Sequence, residues 1–204
     1  MLSRVIIGSQ TTIFSALLLV AVITCVGGAV GIICGYYGGK LDSFLMRVSD
    51  IFLAFPGMVF AIAVASVMNG GVMNAAVALA CISWPKYARI TRSQVMMIKH
   101  MPYMEAAKLS GSGTFKMIGK HVVPNIAGPV VVTAVLDIGT MIMEIAGLSF
   151  LGLGAAPPTA EWGSMMSSGR SMLQTSPWVI LAPGCAIFLT VVIFNLAGDT
   201  VRDV

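Results

Sequence analysis

Apolar stretches of near-spanning length alternate along this chain with short breaks rich in glycine, proline and charge. The first runs from Ile13 to Cys34 and stops at Gly35-Tyr36-Tyr37-Gly38-Gly39-Lys40. Glycines break a helix there, and tyrosines suit a membrane interface. A short polar loop with Lys40, Asp42, Arg47 and Asp50 follows, then a second apolar run from Ile51 to Met68 with Pro56 near its start. Asn69-Gly70-Gly71 predicts a tight turn. The third run, Val72 to Trp84, is short, and the pattern predicts that its helix continues past Pro85 with a kink there. The fourth runs from Val122 to Ala146 and the fifth from Trp178 to Leu196. About 20 apolar residues cross a bilayer as a helix. The expectation is an all-α polytopic transmembrane helical bundle with five spans, forming one domain over residues 1–204.

Composition agrees. The chain is 57% hydrophobic and 10% charged, with mean hydropathy +0.94, whereas soluble domains carry roughly 25% charged residues. The net charge of +4 does not point to nucleic acid, because the basic residues gather in one segment. Lys86, Arg89, Arg92, Lys99, Lys108, Lys116 and Lys120 lie between Trp84 and His121 against the single acid Glu105. By the positive-inside rule, residues 84–121 form a cytoplasmic loop. The loop at 37–50 is then cytoplasmic too, residues 69–71 and 147–177 are external, the carboxyl terminus is internal and the amino terminus external. Arg4 precedes a span too long for the apolar region of a cleavable signal, so an external start implies that a preceding helix is missing from the sequence. Cys25, Cys34, Cys81 and Cys185 are far apart without CxxC spacing and read as buried hydrophobes.

Within the basic segment lies Glu105-Ala106-Ala107-Lys108-Leu109-Ser110-Gly111, with Val123-Pro124-Asn125 further on. Two short helices and a turn fit this stretch. Glu105 can cap or pair, the alanines permit close approach of another surface, and Gly111 lets the chain reverse. These are the physical properties of a docking element. His100 and His121 read as surface or capping residues.

The stretch resembles the EAA loop of permeases from binding-protein-dependent ATP-binding-cassette importers. Two further blocks narrow the likeness: Ala146-Gly147-Leu148-Ser149-Phe150-Leu151-Gly152-Leu153-Gly154 leading to Pro157-Pro158-Thr159-Ala160-Glu161-Trp162-Gly163, and Asn195-Leu196-Ala197-Gly198-Asp199 with Arg202-Asp203. Both are similar to the second permease of the peptide/nickel class. The resemblance implies a type I importer permease fold with six spans in the full family, the amino-terminal helix being the one absent here, and a place in the bacterial inner membrane. It implies that Glu105, Ala106, Ala107, Gly111 and Pro124 couple the chain to an ATPase. The implied partners are a second homologous permease, two ATP-binding-cassette subunits that hold ATP-Mg, an extracytoplasmic solute-binding protein and membrane lipid. The chain itself would bind no cofactor and catalyse nothing, and it carries no P-loop, HExxH or GxSxG pattern. Nickel, a metal chelate, dipeptides and oligopeptides remain open as substrates.

Asp137, Thr140, Met141 and Glu144 share one face of the fourth span at i, i+3, i+4 and i+7. A carboxylate at bilayer depth costs at least about 2.5–3.5 kcal/mol and needs a partner or a wet cavity, so this face is the candidate pathway lining. Asp137 either lines the route or makes an interhelical hydrogen bond. Glu144 either snorkels to the outer interface or attracts a cationic substrate. An ion-coupled carrier relaying protons through these two carboxylates is the rival function. The 15 methionines, Met143, Met165, Met166 and Met172 among them, read as packing rather than soft-metal ligands. Glu161 and Trp162 read as a rigid external loop touching a binding protein, or as an interfacial anchor.

Overall fold

The computed structural model describes residues 1–156 and 158–202. Pro157 and Asp203, which carry part of the two blocks above, lie outside the described residues. The described chain is helical: α1 Leu2–Tyr37, α2 Gly39–Ala54, α3 Gly57–Val67, α4 Val72–Lys99, α5 Pro102–Leu109, α6 Thr114–Met117, α7 Val123–Phe150, α8 Trp162–Ser168 and α9 Trp178–Arg202. A π-helical turn, Ile118–Val122, joins α6 to α7.

Helix α1 is apolar nearly all round, as a helix must be when it meets protein on one side and lipid on the other. It packs on α4 along a seam of Gly27, Gly31 and Gly35. A Cβ on Gly27 would stand 2.5 Å from the Trp84 carbonyl oxygen, one on Gly31 2.5 Å from that of Ala88, and one on Gly35 2.7 Å from Val95 Cβ. The two backbones therefore lie closer than any side chain at these positions permits. Beyond the seam the core continues through Leu19, Val20 and Ile23 of α1, Ala75, Ala78 and Leu79 of α4, and Ile138, Met141, Ile142 and Ile145 of α7. Phe188, Leu189, Ile193 and Leu196 of α9 stay exposed on the outer surface.

The polar stretch expected as a loop at 37–50 is instead the helix α2. Two aspartates on it meet arginines of α4: Asp42 takes a two-pronged contact from Arg92, with Nε to Oδ1 at 2.5 Å and an Nη to Oδ2 at 2.6 Å, and Asp50 pairs with Arg89. Such tertiary partners are invisible to a reading of local polarity. Phe55 is extended at φ −88° and ψ 142°, as a residue before proline must be, and the chain bends there by 88° into α3. With 11 residues, about 16 Å at 1.5 Å per residue, α3 cannot span alone. The second predicted span is thus one arm of a bent pair. Helices α1 and α9, and α7 continuous with the residues from Thr114, are each long and apolar enough to cross. Helix α4 has 28 residues, about 42 Å, and runs unbroken over Pro85, so residues 84–99 belong to it and not to a loop.

The two ends of the bundle group the segments as the charge pattern does. At one end, the turn at 69–71 meets the segment after α7 where Gly71 N donates to the Leu153 carbonyl at 3.0 Å. The same end carries α8, which is tied to α1. Glu161 is fully buried and caps α8 by accepting from Gly163 N at 2.9 Å and Ser164 N at 2.8 Å. Thr12 Oγ1 accepts from Trp162 N at 3.2 Å, and the Trp162 indole donates to the Val5 carbonyl at 2.9 Å. Neither Glu161 nor Trp162 is therefore a free binding-protein contact or an interfacial anchor. They fasten α8 inside the fold. Of the four cysteines only Cys34 is buried, while Cys25, Cys81 and Cys185 lie on the outer surface of the bundle. Met141 and Met165 pack in the core, whereas Met143 and Met172 are exposed.

One ion pair joins a half-exposed lysine to a buried carboxylate. Lys86 Nζ of α4 stands 2.6 Å from Asp137 Oδ1 of α7, and the buried Tyr87 hydroxyl donates to Asp137 Oδ2 at 2.9 Å. Both carboxylate oxygens are engaged, so Asp137 makes the interhelical bonds weighed as one of its two readings.

Two stability predictions follow from these contacts. Gly31→Leu is expected to destabilise the detergent-solubilised protein by about 1–3 kcal/mol or to abolish its accumulation, whereas Gly28→Leu, with nothing within 4 Å of its Cβ position, leaves it unchanged. Thermal aggregation followed by fluorescence-detected size-exclusion chromatography separates the two. In the same assay Asp137→Ala is expected to cost about 3 kcal/mol at most, because half of the Lys86 side chain is exposed. The pair Lys86→Met with Asp137→Leu is expected to recover most of that loss.

Candidate functional site

The 88° elbow between α2 and α3 leaves room against α4 and α7. The space is a cavity of about 220 Å³ walled by Phe52, Leu53, Phe55 and Gly57 of the elbow, Ile82, Ser83 and Lys86 of α4, and Asp137, Thr140, Met141 and Glu144 of α7. All four residues nominated from the fourth span meet here, because their spacing places them on one face and that face looks into the elbow. Met141 is mostly buried, Thr140 exposed and Glu144 half-buried. No ion pair to Glu144 occurs among the described residues, so its carboxylate is the uncompensated charge in the cavity.

Lys86 belongs to this site although its place in the sequence suggested the cytoplasmic loop. Two signals point to it. The helix of the third span continues past Pro85, and a carboxylate at the depth of Asp137 requires a cationic partner.

The element that carries the EAA pattern stands at the opposite end from the turn at 69–71. Helix α5 starts with Pro102 in its first turn, where a missing N–H removes no bond. It ends in a reversal at Gly111, with φ +79°, a left-handed conformation that glycine adopts without strain. Gly111 N donates to the Lys108 carbonyl at 3.1 Å and Ser112 N to that of Ala107 at 3.2 Å. Met104 and Met117 are buried with Val95 and Ile98 of α4, Val122, and Ile126 of α7, so the element is fastened to the ends of both helices that wall the cavity.

Its outward face holds Glu105, Ala106, Lys108 and Gly111, with Ala107 half-buried. Pro124 is exposed but sits in the first turn of α7, beside the element rather than in it. Leu109 and Phe115, 90% and 92% exposed, complete the face and were not singled out by the motif. Large apolar side chains next to a charged motif at a polar end of the bundle were the available signal.

Residues 27–204 match the family described as "Binding-protein-dependent transport system inner membrane component". The chain is 40% identical over 98% of its length to the probable D,D-dipeptide transport system permease protein DdpC of Escherichia coli (strain K12), covering 67% of that protein. It is 38% identical over 99% of its length to the dipeptide transport system permease protein DppC of Haemophilus influenzae, covering 68% of it. It is 39% identical over 98% of its length to the glutathione transport system permease protein GsiD of Pectobacterium atrosepticum, covering 67%. The chain thus spans about two thirds of the length of these relatives. Its fold is that of the MetNI methionine transporter in an inward-facing conformation, with TM-score 0.80 at 16% identity over 100% of this chain and 96% of that one. With these matches added to the bundle and the exposed EAA element, the chain belongs to the binding-protein-dependent transport system inner membrane components, and is a multi-pass inner-membrane permease.

Proposed function

We propose that this chain is the permease subunit of an ATP-driven importer of short peptides, and that the elbow cavity lies on the wall of its pathway. The observation that carries the reading is the outward face of α5 and α6. Glu105, Ala106 and Gly111 are exposed there beside Leu109 and Phe115, an apolar patch with a charged rim that suits a protein interface. Two cassette subunits would hold and hydrolyse ATP-Mg on that side, since this chain has no P-loop. A second homologous permease would complete the pathway, and an extracytoplasmic binding protein would deliver the cargo.

The packing supports a mechanical route. A displacement of α5 bears on α4 and α7 through Met104 and Met117, and these two helices present Lys86, Asp137 and Glu144 to the cavity. The dipeptide, D,D-dipeptide and glutathione permeases among the relatives favour a peptide cargo over nickel or a metal chelate. Against the ion-coupled carrier stands Asp137, whose two oxygens are occupied by Lys86 and Tyr87 and so are poorly placed to relay a proton.

Uptake of a labelled dipeptide by cells carrying the complete importer is expected to survive collapse of the proton gradient and to stop on ATP depletion. The reverse pattern contradicts an ATP-driven importer. Glu105→Lys or Gly111→Asp is expected to weaken ATPase binding by about 2 kcal/mol, roughly thirtyfold, read as loss of the ATPase on co-purification while the permease stays in the membrane.

A further inference from the structure

The elbow cavity holds three charges of unequal standing. Lys86 and Asp137 neutralise each other at 2.6 Å, and Tyr87 takes the second oxygen of Asp137. Glu144 shares the cavity without an ion-pair partner among the described residues, which leaves one net negative charge. The elbow contributes Phe52 and Phe55 to the lining, with Ser83 and Thr140 supplying hydroxyls. A spare carboxylate in a partly desolvated space lined with aromatic residues is the chemistry that recognises an ammonium group, through the ion pair and through attraction of a cation to aromatic rings. Size restricts the ligand further. About 220 Å³ is the liquid volume of about seven waters, below the roughly 300 Å³ at which pockets for whole small ligands begin. It takes one end of a peptide.

We infer that this cavity is an ammonium subsite in which Glu144 accepts the free amino terminus of the transported peptide while Phe52 and Phe55 flank it. The inference rests on the peptide-import reading and adds a residue-level selectivity to it. Cargo with an unblocked amino terminus finds a counter-charge on the way through, whereas an anion meets net negative potential and is disfavoured. Lys86 offers a cargo carboxylate no net counter-charge here, because Asp137 already offsets it.

The binding test uses the membrane complex of both permeases and the ATPase subunits in nanodiscs, without the binding protein, so that selectivity of the binding protein does not enter. Saturation-transfer NMR reads the methyl signals of alanyl-alanine amide, a cation, and of N-acetyl-alanyl-alanine, an anion, with empty nanodiscs as the blank. The cation is expected to bind the wild-type complex and the anion not to. Glu144→Gln is expected to weaken cation binding about tenfold or more, and Glu144→Asp to retain most of it. Equal signals from both probes, no signal from the cation in the wild type, or undiminished binding to the Glu144→Gln complex each overturn the subsite. Retention of the ATPase by the Glu144→Gln permease shows that the variant has assembled. ATP-driven dipeptide uptake by wild-type cells carrying the complete importer separates the two readings: its absence alongside Glu144-dependent cation binding refutes the peptide importer and leaves Glu144 as an ammonium site for another cargo, while normal uptake with binding indifferent to Glu144 refutes the subsite alone.

Discussion

The close approach of α1 to α4 sets the geometry of everything else in this protein. Lipid gives little hydrophobic drive for one apolar helix to prefer another, so association depends on intimate van der Waals contact and on polar bonds. Gly27, Gly31 and Gly35 supply the contact by leaving the carbonyls of Trp84, Ala88 and Arg92 directly against the α1 backbone. With α4 held there, its cations have fixed partners. Arg92 meets Asp42, Arg89 meets Asp50, and Lys86 meets Asp137. Three ion pairs on one helix thus position α2 on one side and α7 on another.

From that arrangement the elbow cavity and the α5–α6 element are linked through the continuous helices α4 and α7. The cavity and the α5–α6 element are both built on α4 and α7, one partway along the helices and the other at their ends. The elbow at Phe55 and Pro56 is the exception. It joins α2, held by the two arginines of α4, to α3, which packs through Ala61 and Ala65 into the central core. Movement of α4 therefore reaches the elbow through charged contacts on one arm and apolar contacts on the other, and the cavity lies between them.

Much of this was legible in the sequence, and the failures share a cause. The long apolar helices were found because their pattern is local: α7 was expected over 122–146 and occupies Val123–Phe150, and α9 starts at Trp178 as expected. The shared face of Asp137, Thr140, Met141 and Glu144 follows from helical spacing alone, and the turn before α6 follows from Gly111. Polar residues that owe their state to a distant partner were misplaced. Asp42 and Asp50 read as loop because Arg92 and Arg89 are far along the chain, and Lys86 read as cytoplasmic because its partner lies on α7. Glu161 and Trp162 read as surface because their partners stand near the other terminus: Thr12 donates to Glu161 and accepts from Trp162 N, and the Val5 carbonyl accepts from the Trp162 indole. The glycines of α1 gave a helix-breaking signal only at Gly35, although a repeat at every fourth position is the pattern of a packing seam.

The claim on which the rest turns is that the face formed by α5 and α6 looks into the cytoplasm and receives an ATPase. Phe115→Cys, in a chain whose Cys25, Cys34, Cys81 and Cys185 are replaced by alanine, places one thiol at the centre of that face. A membrane-impermeant maleimide is expected to label it in inside-out vesicles stripped of the ATPase, to be blocked when the ATPase is restored, and to leave right-side-out vesicles unlabelled. Labelling from the outer side, or labelling in inside-out vesicles that is indifferent to the ATPase, would contradict it.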